Sequence, residues 1–354
     1  MRALLQNEWT IVIIAVAASI LTAILTFMGA NSVMTFIVSA VALATLATVV
    51  GHATDQLGNY MGPGPTGVLQ SAIGNLPELF VSFFALQAGL VGVVQAALVG
   101  SILANSLLVL GLAFLLGGLK HGTQKFMSET PRAIAILMVL AVAALAFPTL
   151  AHTLHTPAEA HEEGLSIATA IVLLVVFLAS IPLSLQGGPL TTDTHAGEER
   201  KAWPLTRIIV ILVAAGILAA LVSDWFVEAL EPAVEALHLS QAFAGLVVVA
   251  IAGNAVENVV GIQLAIANKA DYAVSVILNS SLQIALALTP ILVLVSYFFS
   301  PVALTLVLPP LLVVSLALAA VLSALIVYDG ESNWLEGVAL IGLYALIAMA
   351  FWWG

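Results

Sequence analysis

Two stretches of this sequence set a carboxylate inside apolar surroundings: SAIGNLPELF, Ser71 to Phe80, and VAIAGNAVEN, Val249 to Asn258. Both contain Gly-Asn-x-x-Glu, which singles out Glu78 and Glu257, each preceded by an asparagine, Asn75 and Asn254. A charged side chain at the centre of a bilayer costs about 2.5–3.5 kcal/mol on insertion scales, so such groups face a cavity and pair with ions or protons. Carboxylate, amide, hydroxyl and backbone carbonyl oxygens together are the donors that a hard cation takes. The neutral oxygens can come from Asn75, Asn254, Ser101, Ser280, Asn105, Asn279 and Gln283. Taken singly, any one of these is more often helix-packing glue. Their convergence on two glutamates is what points to ion chemistry.

The elements that must position these residues follow from composition. The chain has 354 residues, 62% of them hydrophobic and 8% charged, and a mean hydropathy of +1.16. Soluble domains do not reach such values, so the chain reads as an all-α, polytopic integral membrane protein without room for a separate soluble domain. Apolar runs fall near 9–28, 33–55, 66–87, 91–117, 131–150, 164–185, 205–223, 240–266, 271–298, 302–327 and 334–353, which predicts about eleven transmembrane helices. The first has full span length and no small-residue cleavage pattern, and reads as a retained span. Turn and breaker residues separate the runs at GPGPTG (62–67), HGTQKF (121–126), 187–204 and YDGESN (328–333). Cysteine is absent, which removes disulfides and thiolate sites. The net charge of −11 argues against a nucleic-acid partner and suits a cation.

Cationic residues set the orientation. With the N-terminus cytoplasmic, Arg2, Lys120, Lys125, Arg132, Arg200, Lys201, Arg207 and Lys269 all fall on or beside the cytoplasmic face. The opposite face receives HTLHTPAEAHEE (152–163) and the acidic DWFVEALEPAVEALHL (224–239), so the C-terminus is expected outside. Histidines in 152–163 could scavenge metal, a solvated polar loop being the plainer reading.

Aligning the chain with itself at a shift of 179 residues superposes Gly74 on Gly253, Asn75 on Asn254, Glu78 on Glu257 and Ser101 on Ser280 without a gap. Setting the first span aside leaves five and five, and an odd number inverts the second half in the membrane. The expected organisation is an N-terminal extra helix (1–30), a first five-helix repeat (31–186), a cytoplasmic linker (187–203) and a second, inverted five-helix repeat (204–354). Inverted repeats carry their binding site near the midplane between the halves. Pro77 cannot donate to the carbonyl of Ile73, so the first copy is expected to be the more strongly bent, its counterpart Val256 being able to donate, with the Ile73 oxygen freed for the ion.

These residues resemble the Ca²⁺/cation antiporters and, among them, the calcium/proton exchangers. The likeness is carried by GHATDQLGNYMGP (51–63), by 74–126 beginning GNLPELF, and by GNAVENVVGIQLAIANKADYAVSVILNSSLQIAL (253–286) with its Asn-Lys-x-Asp turn at Asn268 to Asp271. These segments cover about a third of the chain, and span count and repeat plan extend the agreement over nearly all of it. The resemblance implies cation ligation by Glu78 and Glu257 with nearby Asn and Ser groups, and proton-driven export of Ca²⁺ from the cytoplasm. Asn258 and Asp55 stand at further positions of the family's ion pathway. The chain departs from the family pattern at Leu76–Pro77, where Ala-Thr is usual, at Asn258, where His is usual, and at Asn279, where Gly is usual. The element written GxATEEL in the family reads GHATDQL here, with His52 and Asp55.

An intramembrane enzyme would want a Ser-His pair, paired aspartates or a zinc HExxH, and none stands in the spans. A channel would use the same oxygens without paired repeats, and a structural membrane protein would not need them. The expected function is therefore a secondary transporter, not an enzyme, with Ca²⁺ and H⁺ as transported ions, no cofactor, and the lipid bilayer as its surroundings. A prokaryotic plasma (inner) membrane is its expected location, and a homo-oligomer is compatible with it. The alternative within the superfamily is a Na⁺-coupled or monovalent-cation/proton exchanger.

Overall fold

The computed structural model describes residues 8–61, 73–126, 129–185 and 203–353, with side chains at all of these except 8, 59, 61, 183–185 and 255–258. The turn sequence GPGPTG and most of the segment 187–204 lie outside the described residues. Helices account for nearly everything else: α1 (Glu8–Phe27), α2 (Ser32–Met61), α3 (Leu76–Gln87), α4 (Val91–His121), α5 (Glu129–Thr153) and α6 (Glu162–Leu185), then α7 (Leu205–Ala236), α8 (Gln241–Gly253), α9 (Ala255–Ile266), α10 (Ala270–Phe299), α11 (Pro310–Asp329) and α12 (Trp334–Trp352). Among the described residues nine of these are long and apolar enough to cross a membrane, and α3 and α8 are shorter apolar helices. The chain is an integral membrane protein.

Glycine lets the central helices approach closely. A Cβ at Gly245 of α8 would lie 2.5 Å from the Val93 carbonyl of α4, and one at Gly111 of α4 would lie 2.8 Å from the Gly337 carbonyl of α12. With little hydrophobic drive between helices in lipid, this contact is the main source of association. α7 lies along α2, and α4 is buried along most of its length. Ends are set locally. Gly330 stops α11 in the left-handed region at φ 76°, and Asn333 caps α12 by accepting from the Leu335 and Glu336 N–H groups at 2.9 and 3.1 Å.

Three expectations are corrected. The run read as a span from 302 is not helical before Pro310. Residues 300–309 are irregular, with bends at 301, 302 and 306, and Leu304, Leu306 and Leu308 are buried. Such backbone must find partners. Gln95 donates to the Thr305 and Val307 carbonyls at 2.9 and 3.1 Å, Thr149 joins the Leu306 carbonyl (3.1 Å) to the Leu308 N–H (2.9 Å), and Ser166 accepts from the Leu306 N–H at 3.0 Å. Short apolar runs do not distinguish helix from buried non-helical chain by hydropathy alone. Secondly, most of the acidic stretch 224–239 continues α7 as far as Ala236 and is not a loop. Its apolar face supplies Phe226, Leu230 and Ala233 to the core. Thirdly, the turns HGTQKF and YDGESN contain two short strands, Gln124–Lys125 (β1) and Glu331–Ser332 (β2), paired antiparallel.

Candidate cation site

The two copies of Gly-Asn-x-x-Glu interrupt their helices in the same way. In the first, Gly74 and Asn75 form a turn between Ile73 and α3; in the second, Asn254 separates α8 from α9. Asn75 has φ −91° and ψ 15°, and Asn254 has φ −100° and ψ 22°, in the bridge region rather than the helical one. A short amide side chain supports such a break by bonding nearby backbone. Asn254 does so, donating through Nδ2 to the Ala250 carbonyl at 2.9 Å.

Because both helices restart one residue after the asparagine, Glu78 and Glu257 are each the third residue of a new helix. Carboxylates are favoured there, where free N–H groups and the helix dipole present partial positive charge. Pro77 and Val256 are both second residues of their helices, a position where an N–H has no partner within the helix, so proline, which lacks one, loses nothing there. The break thus stands at the asparagine with proline in one copy and valine in the other, while the expected difference in bending involves residues 66–72, which lie outside the described residues. Leu79 N–H bonds the Asn75 carbonyl at 2.9 Å, so α3 is regular from its first turn.

Glu78 is 1% exposed. Ser101 of α4 donates to its Oε1. Across the molecule its chain packs on Gly253: a Cβ there would stand 3.3 Å from Glu78 Cβ and 3.6 Å from its carboxyl carbon. The first glutamate thus lies against the break of the second copy. Beside it, Asn105 of α4 donates through Nδ2 to Asn254 Oδ1 at 3.3 Å and to Ser280 Oγ of α10 at 3.1 Å. Asn105, Asn254, Ser280 and Asn75 are all buried. Asn105 Oδ1 has no hydrogen-bond partner, leaving an acceptor in this group.

The remaining candidates divide. Ile73 is half-buried and is the residue before the first break, and Asn279 and Gln283 are half-buried on α10 on either side of the Ser280–Ser281 pair. Asp55 and His52 are half-buried on α2. The side chains of Glu257 and Asn258 lie outside the described residues; their backbone belongs to the first turns of α9.

Sequence reading missed a second polar tie. Ser106 and Ser281, next in sequence to Asn105 and Ser280, bond each other at 3.1 Å, and Ser323 of α11 donates to the Ser106 carbonyl at 3.3 Å. The signal was two adjacent polar residues on an apolar helix. It was hard to use because adjacent residues of an α-helix point about 100° apart. Here a π-helical turn, Ala104–Val109, changes that register, and a second one stands at Ile284–Leu288 in α10.

A family description, "Sodium/calcium exchanger protein", matches residues 31–186 and 207–353, which is most of the chain. The chain belongs to that family. Among similar proteins, the Ca²⁺/H⁺ antiporter ChaA of Bacillus subtilis is 35% identical over 352 residues, covering 96% of this chain and 97% of its own. The Ca²⁺/H⁺ antiporter of Synechocystis is 35% identical over 347 residues, with 92% of each chain covered. The solved structure of native YfkE superposes with a TM-score of 0.83 at 32% identity, over 97% of this chain and 99% of that one. The H⁺/Ca²⁺ exchanger CAX, at 16% identity and a TM-score of 0.77, shows the fold alone. This family member therefore has the polytopic helical fold of those exchangers.

Proposed function

We propose that this protein is a secondary transporter that exchanges cytoplasmic Ca²⁺ for protons by alternating access, with Glu78 and Glu257 shared between the cation and the protons. The observation that carries this reading is the packing of buried Glu78, bonded to Ser101, directly against Gly253 at the break of the second copy. Two carboxylates at matching positions would neutralise one divalent cation or two protons, and ligands that must be deprotonated to bind metal give up their protons when it arrives. Ser101, Asn75, Asn254 and Ser280 are the neutral groups of the proposed set, with Asn105, Asn279, Gln283, Asn258, Asp55 and the Ile73 carbonyl along the pathway.

The division into a first repeat (31–186) and an inverted second repeat (204–354) is supported by the recurrence of structure at the shift of 179 residues. Residues 76–87 and 255–266, the limits of α3 and α9, correspond without remainder, and the π-helical turns Ala104–Val109 and Ile284–Leu288 correspond to within one residue. The two stretches matched by the family description fall on the same halves. With the N-terminus in the cytoplasm, export is the direction of transport, and the relatives named as Ca²⁺/H⁺ antiporters support the choice of ions.

The test is ⁴⁵Ca²⁺ uptake into everted membrane vesicles with and without an imposed pH gradient. Uptake that requires the gradient, that acid inhibits competitively, and that vanishes in Glu78→Gln and Glu257→Gln is expected. Uptake driven by a Na⁺ gradient instead would establish the alternative coupling, and near-normal exchange in either variant would overturn the site.

A further inference from the structure

At the end of α5 farthest from β1, the chain gathers ligand atoms that the exchange site does not use. His152 Nδ1 is bonded to Glu162 Oε1 and lies 3.7 Å from Glu159 Oε1. These three groups can each offer one atom with all of the atoms within 4.8 Å of one another. They meet because α5 ends at Thr153, a single 3₁₀ turn spans Pro157–His161, and α6 starts at Glu162. His155 Nδ1 takes the other oxygen of Glu159 at 3.1 Å, which orients that carboxylate.

The charge of this group is not balanced by a permanent cation. Between Arg132 and Arg200 the sequence has no Lys or Arg, and among the described residues the ion pairs of Glu159 and Glu162 are with histidines only. Two carboxylates around one imidazole keep a net negative charge even when the histidine is protonated, whereas a divalent metal ion cancels both. The donor set selects which ion. Imidazole nitrogen with carboxylate oxygen suits zinc and the neighbouring first-row metals, whereas Ca²⁺ takes oxygen ligands.

We propose that His152, Glu159 and Glu162 form a binding site for a zinc-class divalent cation, separate from the transport site. Zinc bound by His nitrogen and carboxylate oxygen at about 2.0–2.2 Å needs the three atoms drawn closer together, which rotation of these half-buried side chains allows. The bound ion fastens the end of α5 to the start of α6. His161, the remaining histidine of the turn, is within reach in sequence but is not among the three.

The experiment uses tag-free protein in detergent carrying Glu78→Gln, so that the transport site is disabled, and titrates Zn²⁺ calorimetrically. One Zn²⁺ per chain is expected, undisturbed by excess Ca²⁺ and weakening on acidification, since the ligands bind metal only when deprotonated. Adding His152→Ala should reduce affinity on the order of a hundredfold, as should Glu159→Gln with Glu162→Gln, while the metal-free melting temperature stays unchanged. The pair of substitution sets guards against one of them failing to fold. Binding that survives both sets, displacement by Ca²⁺, or an absence of Zn²⁺ binding overturns the proposal. Since the background already lacks Glu78, none of these outcomes depends on the transport reading.

Discussion

The two copies of the interrupted helix share a backbone, and among the described residues their polar contacts run to different partners. In the first, Glu78 takes its bond from Ser101, a residue of the same copy. In the second, Asn254 and Ser280 are held by Asn105, which belongs to the other copy. The breaks themselves agree to within 9° in φ and 7° in ψ although one copy has proline two residues on and the other has valine. The glycine-asparagine pair therefore makes the break, and the residues around it decide how tightly each copy is tied to its partner.

The largest effect should come from removing charge on either side of that comparison. Glu78→Gln leaves shape and one oxygen but one carboxylate fewer for a dication, a loss of about 3–5 kcal/mol where a buried charge pair is broken. Vesicle uptake should disappear while the protein still inserts, and Glu257→Gln should match it. Unequal loss would show that the copies are not equivalent.

Asn105→Ala should come next, since one side chain ties both Asn254 and Ser280. Each buried partner left without its bond costs about 1–3 kcal/mol. A double-mutant cycle of Asn105→Ala with Ser280→Ala, read as Ca²⁺ affinity and melting temperature, should show coupling of about 0.5–3 kcal/mol. Additive effects would mean that the copies are not tied there. Gly253→Ala tests the opposing wall: its new Cβ would stand 3.3 Å from Glu78, so a moderate loss of affinity with little loss of stability is expected from binding measurements.

Smaller still is the exchange of Pro77 and its counterpart. Pro77→Ala should leave cation affinity intact, and Val256→Pro should be accepted with less than about 1 kcal/mol of destabilisation, against ~3 kcal/mol for proline in a helix interior. A Val256→Pro protein that fails to fold would show that the second break is not a true helix start.

The smallest effect lies at the β1–β2 pair, far from either break. Lys125 is bonded to Glu331 at 2.8 Å, and that bond, together with the attraction of its charge, raises the Lys125 pKa above its ordinary value. The stabilisation is complete below the ordinary lysine range and is lost as the pH rises through the raised value. Both groups are exposed, so Glu331→Gln should shift the melting temperature barely at neutral pH, and salt should erase the shift.

Much of the site was legible because intramembrane carboxylates are costly and repeats are visible. Glu78, Ser101, Asn105, Asn254 and Ser280 are brought together as the spacing suggested. Ser106 and Ser281 were not legible, since each directly follows another polar residue on an apolar helix and they meet across 175 residues of chain. The segment 302–309 has the hydropathy of a span yet is not helical; the side chains of Gln95, Thr149 and Ser166, distant in sequence, bond its backbone groups.

The sequence by itself determined that the chain lies in a membrane, that Gly-Asn-x-x-Glu recurs inside two of its apolar runs, and which polar residues recur with it. Those properties are local, arising from hydropathy, the conformational freedom of glycine and the spacing of residues along one chain. Only the tertiary structure decided that Glu78 faces Gly253, that Asn105 crosses to the second copy, and that Pro77 is a helix start and not a kink. Those are contacts between segments more than a hundred residues apart, or consequences of where a helix begins, and they depend on close packing that no single segment encodes.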